Sequence, residues 1–334
     1  MSEARRRRLL VLLGSLIVLA LALLASLLLG SHALAPNRVL DLLLHDDGST
    51  EAAVIRGQRL PRTLLAAAVG AALGLAGAQM QALTRNLLAD PGILGVNAGA
   101  SLLVVVAVAL VGVTGIGFYL WFAFAGAAIT AIGVYVLAGA GRQSATPTRL
   151  ALAGVAVSAA LTASTQTVIL LDQEAFNEFR FWVTGSLEGR GWDVLLTVAP
   201  VLVVGAVVAL AISPALGALV LGEDAAHGLG VRVPRTRVLA TVAITVLCGA
   251  ATAAVGPIVF VGLAVPMIAR HLVGHNQRWV AVCSLVLGAC WLLGADIVAR
   301  ILVAPQELAA GVVAAIAGAP VFVAVVSRRK VPAL

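Results

Sequence analysis

The stretch LTRNLLADPGILGVNAGAS, Leu83 to Ser101, decides how the chain is read. It carries Arg85, Asn86, Asp90, Pro91 and three glycines, yet LLAAAVGAALGLAGAQMQAL ends where it starts and LLVVVAVALV follows it. Proline and glycine at this density break a helix. A polar break between two apolar runs describes a chain that crosses a hydrocarbon layer, turns and crosses again.

The same pattern repeats in both directions. Apolar runs separated by charged breaks give ten expected spans: 9–30, 62–82, 92–113, 118–138, 149–170, 194–212, 238–257, 259–273, 279–299 and 308–327. Each is of a length to cross a core of about 30 Å. The chain is 61% hydrophobic and 11% charged over 334 residues, against roughly 25% charged in soluble domains. Continuous rather than alternating runs exclude a β-barrel. The fold class expected is an all-α polytopic membrane protein of about ten transmembrane helices.

The net charge of +7 does not indicate nucleic acid, because the basic residues sit in short loops between spans. Placing the N-terminus in the cytoplasm puts Arg5–Arg8, Arg85, Arg142, Arg149, Arg232, Arg235, Arg237, Arg270, Arg278, Arg328, Arg329 and Lys330 on that side. Most acidic residues then fall outside. The positive-inside rule therefore predicts a multi-pass inner-membrane protein with both termini cytoplasmic. The N-terminal RRRR, apolar run and Ala33–Ala35 resemble a secretory signal. The run Leu9–Gly30 exceeds the roughly 7–15 residues of a signal core, so an uncleaved first helix is expected.

Glycine and alanine dominate several spans, which suits close helix packing in lipid. Cys248, Cys283 and Cys290 lie in apolar runs without a pairing pattern and read as packing residues. Asp296 is the clearest intramembrane carboxylate. Arg300 follows on the same helical face, so structural pairing competes with a proton-relay role. His271 and His275 are also spaced i,i+4 but lack an acidic or cysteine companion, so no metal site is expected.

Two segments exceed what connectors need. In SPALGALVLGEDAAHGLGVRVPRTR, Ser213 to Arg237, Ser213-Pro214 reads as a helix start. Gly222 precedes a second short helix opened by Glu223 and Asp224. A self-packed loop or a docking element for a cytoplasmic partner both fit. Before the second span, RGQRLPRTLL carries Arg59 and Arg62, and Arg300 stands at another outer edge. These arginines are either interfacial anchors or receivers of a partner's carboxylates. No G-x-x-x-x-G-K-[ST] occurs and Lys330 is the only lysine, so the chain cannot build a P-loop. No catalytic grouping is evident, and no enzyme activity is expected.

Arg59–Ser101 closely resembles the permease subunits of bacterial ABC importers for iron-siderophores, vitamin B12 and haem. The resemblance continues through RLALAGVAVSA (Arg149–Ala159), FRFWVTGSL (Phe179–Leu187), LGEDAAHGLGV (Leu221–Val231), GPIVFVGLAVPMIARHLVG (Gly256–Gly274), GADIVAR (Gly294–Arg300) and ELAAGVVAAIAGAPVF (Glu307–Phe322). Within that family the chain looks most like the ferric enterobactin-type permeases. The resemblance implies a type II ABC importer architecture, with residues 1–334 as one permease domain that pairs with a second permease subunit, a distinct homologue in the enterobactin type and a second copy of the chain as the alternative. It implies two cytoplasmic ATPases, which carry the ATP and magnesium and engage Leu221, Gly222, Glu223, Asp224, His227 and Gly230 in the loop 213–237. It implies an external binding protein docking on Arg59, Arg62 and Arg300, and a cytoplasmic gate and pathway segment at Arg85, Asn86, Leu87, Leu88 and Asn97. No cofactor or metal is expected in this chain, and the cargo implied is a ferric siderophore, with vitamin B12 or haem as the alternative. An ion-gradient carrier is the rival, and it should show buried carboxylates or broken helices.

Two positions depart from the family pattern. Leu87 stands where proline is usual, which puts the local shape of the gate segment in question. Met267 stands where histidine is usual.

Overall fold

A computed structural model describes residues 3–30, 35–112, 116–139 and 147–328. Arg142, Arg329, Lys330 and the Ala33-Leu34 pair of the signal-like motif lie outside the described residues. The helices run α1 (Glu3–Leu28), α2 (Pro36–Leu44), α3 (Thr50–Val54), α4 (Leu60–Thr84), α5 (Val96–Val111), α6 (Ile116–Gly139), α7 (Pro147–Leu171), α8 (Gln173–Trp182), α9 (Trp192–Val220), α10 (Glu223–Gly228), α11 (Val233–Val255), α12 (Val261–Val273), α13 (Gln277–Ile301) and α14 (Ala310–Arg328). Among the described residues, seven helical stretches are long and apolar enough to cross a membrane, and Val96–Val111, Val261–Val273 and Ala310–Ala324 are shorter apolar helices. Each of the ten expected spans holds one of them. The bundle has a basic end, carrying Arg5–Arg8 and α10, and an acidic end, carrying α2, α3 and α8.

α4 is the axis of the bundle, packed against α9, α11, α12 and α13. Its glycines permit this. A Cβ at Gly70 would stand 2.3 Å from the Gly288 carbonyl oxygen, and one at Gly74 2.3 Å from that of Ser284. Backbone thus meets backbone, and the small-residue pattern along α4 and α13 is a packing code. A π-helical turn, Ile55–Arg59, joins α3 to α4. It ends two residues before Pro61, which lacks the N–H of a regular helical ladder.

Three expectations are corrected. Ser213-Pro214 does not start a helix: α9 runs unbroken through Pro214 to Val220. The disturbed turn is supported from α4, where the Gln79 amide donates to Ala209 O at 2.7 Å and to Ser213 Oγ at 2.8 Å. The loop 213–237 therefore holds one short helix, α10, not two. The third span is not 92–113: Pro91–Leu94 is a separate 3-10 turn, and α5 starts only at Val96 after Gly95 at φ 73°. His271 and His275 share no helical face, because α12 ends at Val273 and Gly274 turns the chain away at φ 81°.

Candidate functional site

The polar break that opens the sequence folds back into the bundle. α4 ends at Arg85, held in the left-handed region at φ 51°. Asn86 N donates to Gln81 O at 3.2 Å, closing the helix end as a C-cap. Asn86–Ala89 then forms a β-turn, with Ala89 N on Asn86 O at 3.2 Å and Leu88 N on Asn86 Oδ1 at 2.9 Å. Leu87 occupies the second position of this turn, where proline also fits. The asparagine side chain fixes the shape that a proline would otherwise favour. The departure at Leu87 thus leaves a defined turn.

Beyond it, Asp90 Oδ1 accepts Gly92 N at 2.8 Å and starts the 3-10 turn. That turn is wedged between helices. A Cβ at Gly154 of α7 would lie 1.7 Å from Ile93 O, and one at Gly262 of α12 would lie 2.8 Å from Pro91 Cδ. Gly154 sits about 10 Å along α7 from Pro147 at 1.5 Å per residue. The segment therefore climbs from the basic end into the bundle, and α5 needs only about 24 Å to reach the other side. Asn97 in the first turns of α5 accepts Thr252 Oγ1 of α11 at 2.9 Å, anchoring this half-span. Arg85, Asn86, Leu87 and Leu88 remain at its lower edge, with Asn86 and Leu88 exposed.

α7, against which the segment rests, carries the feature sequence reasoning missed. Gly154 and Thr165 face the bundle, while Ala156, Ala159, Ala160, Thr162, Ala163, Ser164, Gln166 and Thr167 are exposed. Ser164 and Thr167 return their hydroxyls to Ala160 O and Ala163 O at 3.0 Å. The Gln166 amide has no such refuge and finds no protein partner among the described residues. An unpaired amide facing hydrocarbon costs several kcal/mol, on the order of 4–8 by water-to-cyclohexane transfer. This face belongs against water or another protein. The run ASTQT, Ala163–Thr167, was the available signal: a polar patch inside an apolar span.

At the acidic end, Arg62 donates from Nε and Nη2 to Asp296 Oδ1 at 3.0 and 2.7 Å. Arg300 Nη2 faces Asp296 Oδ2 at 2.9 Å as an ion pair, without the alignment of a hydrogen bond. Arg62 Nη1 also reaches Glu307 Oε2 at 2.6 Å. Arg300 Nη1 donates to Ser26 O and Leu29 O, and Arg59 Nη1 to Leu27 O. Two of the three outer arginines thus cap the carbonyl end of α1, where cations are favoured. Asp296 is fully buried, and Arg300 and Arg59 are 2% and 6% exposed. Arg62 and Glu307 form the accessible edge of the cluster. Asp296 pairs with both Arg62 and Arg300, the arrangement the structural alternative required.

Other acidic-end charges are also matched. Arg38 bridges Asp41, Asp47 and Glu51. Hydrogen bonds from Ser49 and then Arg38 hold the Asp47 carboxyl down at about 2.

At the basic end, Gly222 at φ 119° turns the chain from α9 into α10. Gly230 N and Val231 N close the helix on His227 O and Ala226 O at 2.9 Å. Glu223 is paired with Arg237, and a ring nitrogen of His227 lies 2.8 Å from Glu223 O. Asp224 is exposed and, among the described residues, unpaired. Leu221 and Leu229 flank α10 at 71% and 66% exposed. An exposed apolar pair around a small charged helix is the form of a docking knob. Met267 is buried within α12.

Comparison with known proteins gives a consistent result. Residues 18–328 match the FecCD transport family. The ferric enterobactin transport system permease protein FepD of Escherichia coli (strain K12) is 45% identical over 317 residues, covering 95% of this chain and 94% of that protein. The Fe(3+)-citrate import system permease protein YfmD of Bacillus subtilis (strain 168) is 41% identical, covering 96% of each. Among solved structures, an ABC transporter described as metal-chelate type, in an inward-facing conformation, superposes with a TM-score of 0.82. It is 27% identical and covers 96% of this chain and all of that one.

Proposed function

The chain belongs to the FecCD transport family and is a permease subunit of a bacterial ABC importer, and on that premise we propose that its cargo is a ferric siderophore. The supporting observation is identity: the relative at 45% over nearly the whole chain is a ferric enterobactin permease. Like the family, the chain is a multi-pass protein of the bacterial inner membrane that works with an ATPase and a substrate-binding protein. We take the basic end as cytoplasmic, with both termini there.

In this reading a second, distinct permease subunit faces the exposed polar side of α7, and the pathway runs between them. Small and neutral polar groups there let a bulky chelate pass without a tight embedded site. The segment Arg85–Leu94, braced on Gly154 of α7, forms the inner gate with Leu87 and Leu88 at its lower edge and Asn97 as its anchor. Two ATPases seat on Leu221, Gly222, Glu223, Asp224, His227 and Gly230. The binding protein docks at Arg59, Arg62 and Arg300, entering at the accessible Arg62. Movement of α10 reaches the gate through α9, which Gln79 ties to α4, the helix that ends at Arg85.

The test is uptake into proteoliposomes holding the permeases and ATPase, with binding protein outside. Uptake of a ferric catecholate siderophore should require ATP and ignore an imposed ion gradient. Movement on a gradient without ATP would defeat the ABC mechanism. Displacement of the siderophore by vitamin B12 or haem would instead change the cargo.

A further inference from the structure

A groove of about 280 Å³ runs between α6 and α11 on the outside of the bundle. Ala128, Ile132 and Tyr135 form one wall, and Val238, Thr241 and Val242 the other. Its surface is almost wholly carbon, and Val238 to Val246 gives it a length of about 12 Å at 1.5 Å per residue. It belongs neither to the polar face of α7 nor to α10.

Charge indicates the occupant. Arg235 lies one turn before Val238, so Arg235, Val238, Val242 and Thr245 form one stripe of α11. Arg235 and Arg232 are exposed and make no ion pair among the described residues, whereas Arg237 is paired with Glu223. A free cation at the mouth of a carbon-lined groove, at the basic end of a membrane protein, complements an anionic lipid.

We infer that the α6–α11 groove binds one phospholipid, with an acyl chain along Ala128, Ile132 and Val242 and the headgroup phosphate on Arg235. The inference needs the chain to span a bilayer and is independent of the cargo.

The test is native mass spectrometry of the full chain in micelles doped with phosphatidylglycerol, phosphatidylcholine or glycerol 3-phosphate. The protein should retain one phosphatidylglycerol in preference to phosphatidylcholine, and no glycerol 3-phosphate. R235Q should lose the headgroup preference while still retaining lipid. A128W, which fills the groove, should lose the retained lipid, and V242F should repeat that loss if A128W does not fold. Undiminished phosphatidylglycerol retention in both groove-filling variants would overturn the inference. So would an unchanged headgroup preference in R235Q, binding of glycerol 3-phosphate alone, or a second copy of the chain seated in the groove.

Discussion

Arg62 and Glu307 show how one pair can sit at the boundary between structure and recognition. Arg59 and Arg300 spend their donors on the last carbonyls of α1, and Asp296 is sealed between Arg62 and Arg300. Only the Arg62–Glu307 pair keeps an accessible edge. A carboxylate arriving from a docking protein has to compete with Glu307 for the same guanidinium. E307Q should therefore tighten binding-protein capture by several-fold at low salt, since a neutral amide competes less well than a carboxylate. R62Q should weaken capture. Surface-bound permease titrated with binding protein measures both, and equal affinities for all three forms would remove the docking role.

At the scale of elements, α10 and the segment Arg85–Leu94 are short pieces whose proposed roles rest on their position. Glu223 is tied to Arg237, so its charge serves the fold of the segment. Asp224 and Leu221 are exposed and, in the proposed docking, are the contacts left for an ATPase. D224R and L221D should reduce siderophore-dependent ATP hydrolysis by roughly tenfold each if each costs about 1.4 kcal/mol at the ATPase interface. Membrane insertion should be unchanged. ATPase activity at the wild-type level in both variants would count against docking at α10. The segment after α4 owes its shape to Asn86, which fixes a turn through its side chain, and to Gly154 and Gly262, which leave room for Ile93 and Pro91.

Across the whole molecule, hydropathy and the distribution of arginines made the ten crossings legible, because lipid leaves a long apolar run few alternatives. The boundaries that failed share one cause. At Ser213-Pro214 a local helix-start signal, and after Pro91 the apolar run that set the third span at 92–113, were overruled by tertiary partners: Gln79 sustains α9, and the gap between α7 and α12 admits the 3-10 turn. The roles of Arg59 and Arg300 in capping α1 were equally hidden, since they depend on contacts far apart in sequence. The polar face of α7 was written in Ala163–Thr167, but only the fold shows that Ala163, Ser164, Gln166 and Thr167 look outward while Thr165 faces the bundle.

Whether the polar face of α7 lines a water-accessible pathway is tested by thiol labelling. In a background lacking Cys248, Cys283 and Cys290, cysteines at Ala163 and Gln166 are compared with cysteines at Leu196 and Val203 on the exposed apolar side of α9. The full transporter in membranes is treated with a membrane-impermeant maleimide. Ala163→Cys and Gln166→Cys should be labelled to an extent that changes with ATP, and Leu196→Cys and Val203→Cys should not be labelled. Absence of labelling on α7 in every nucleotide state, with the protein assembled and active, would contradict it.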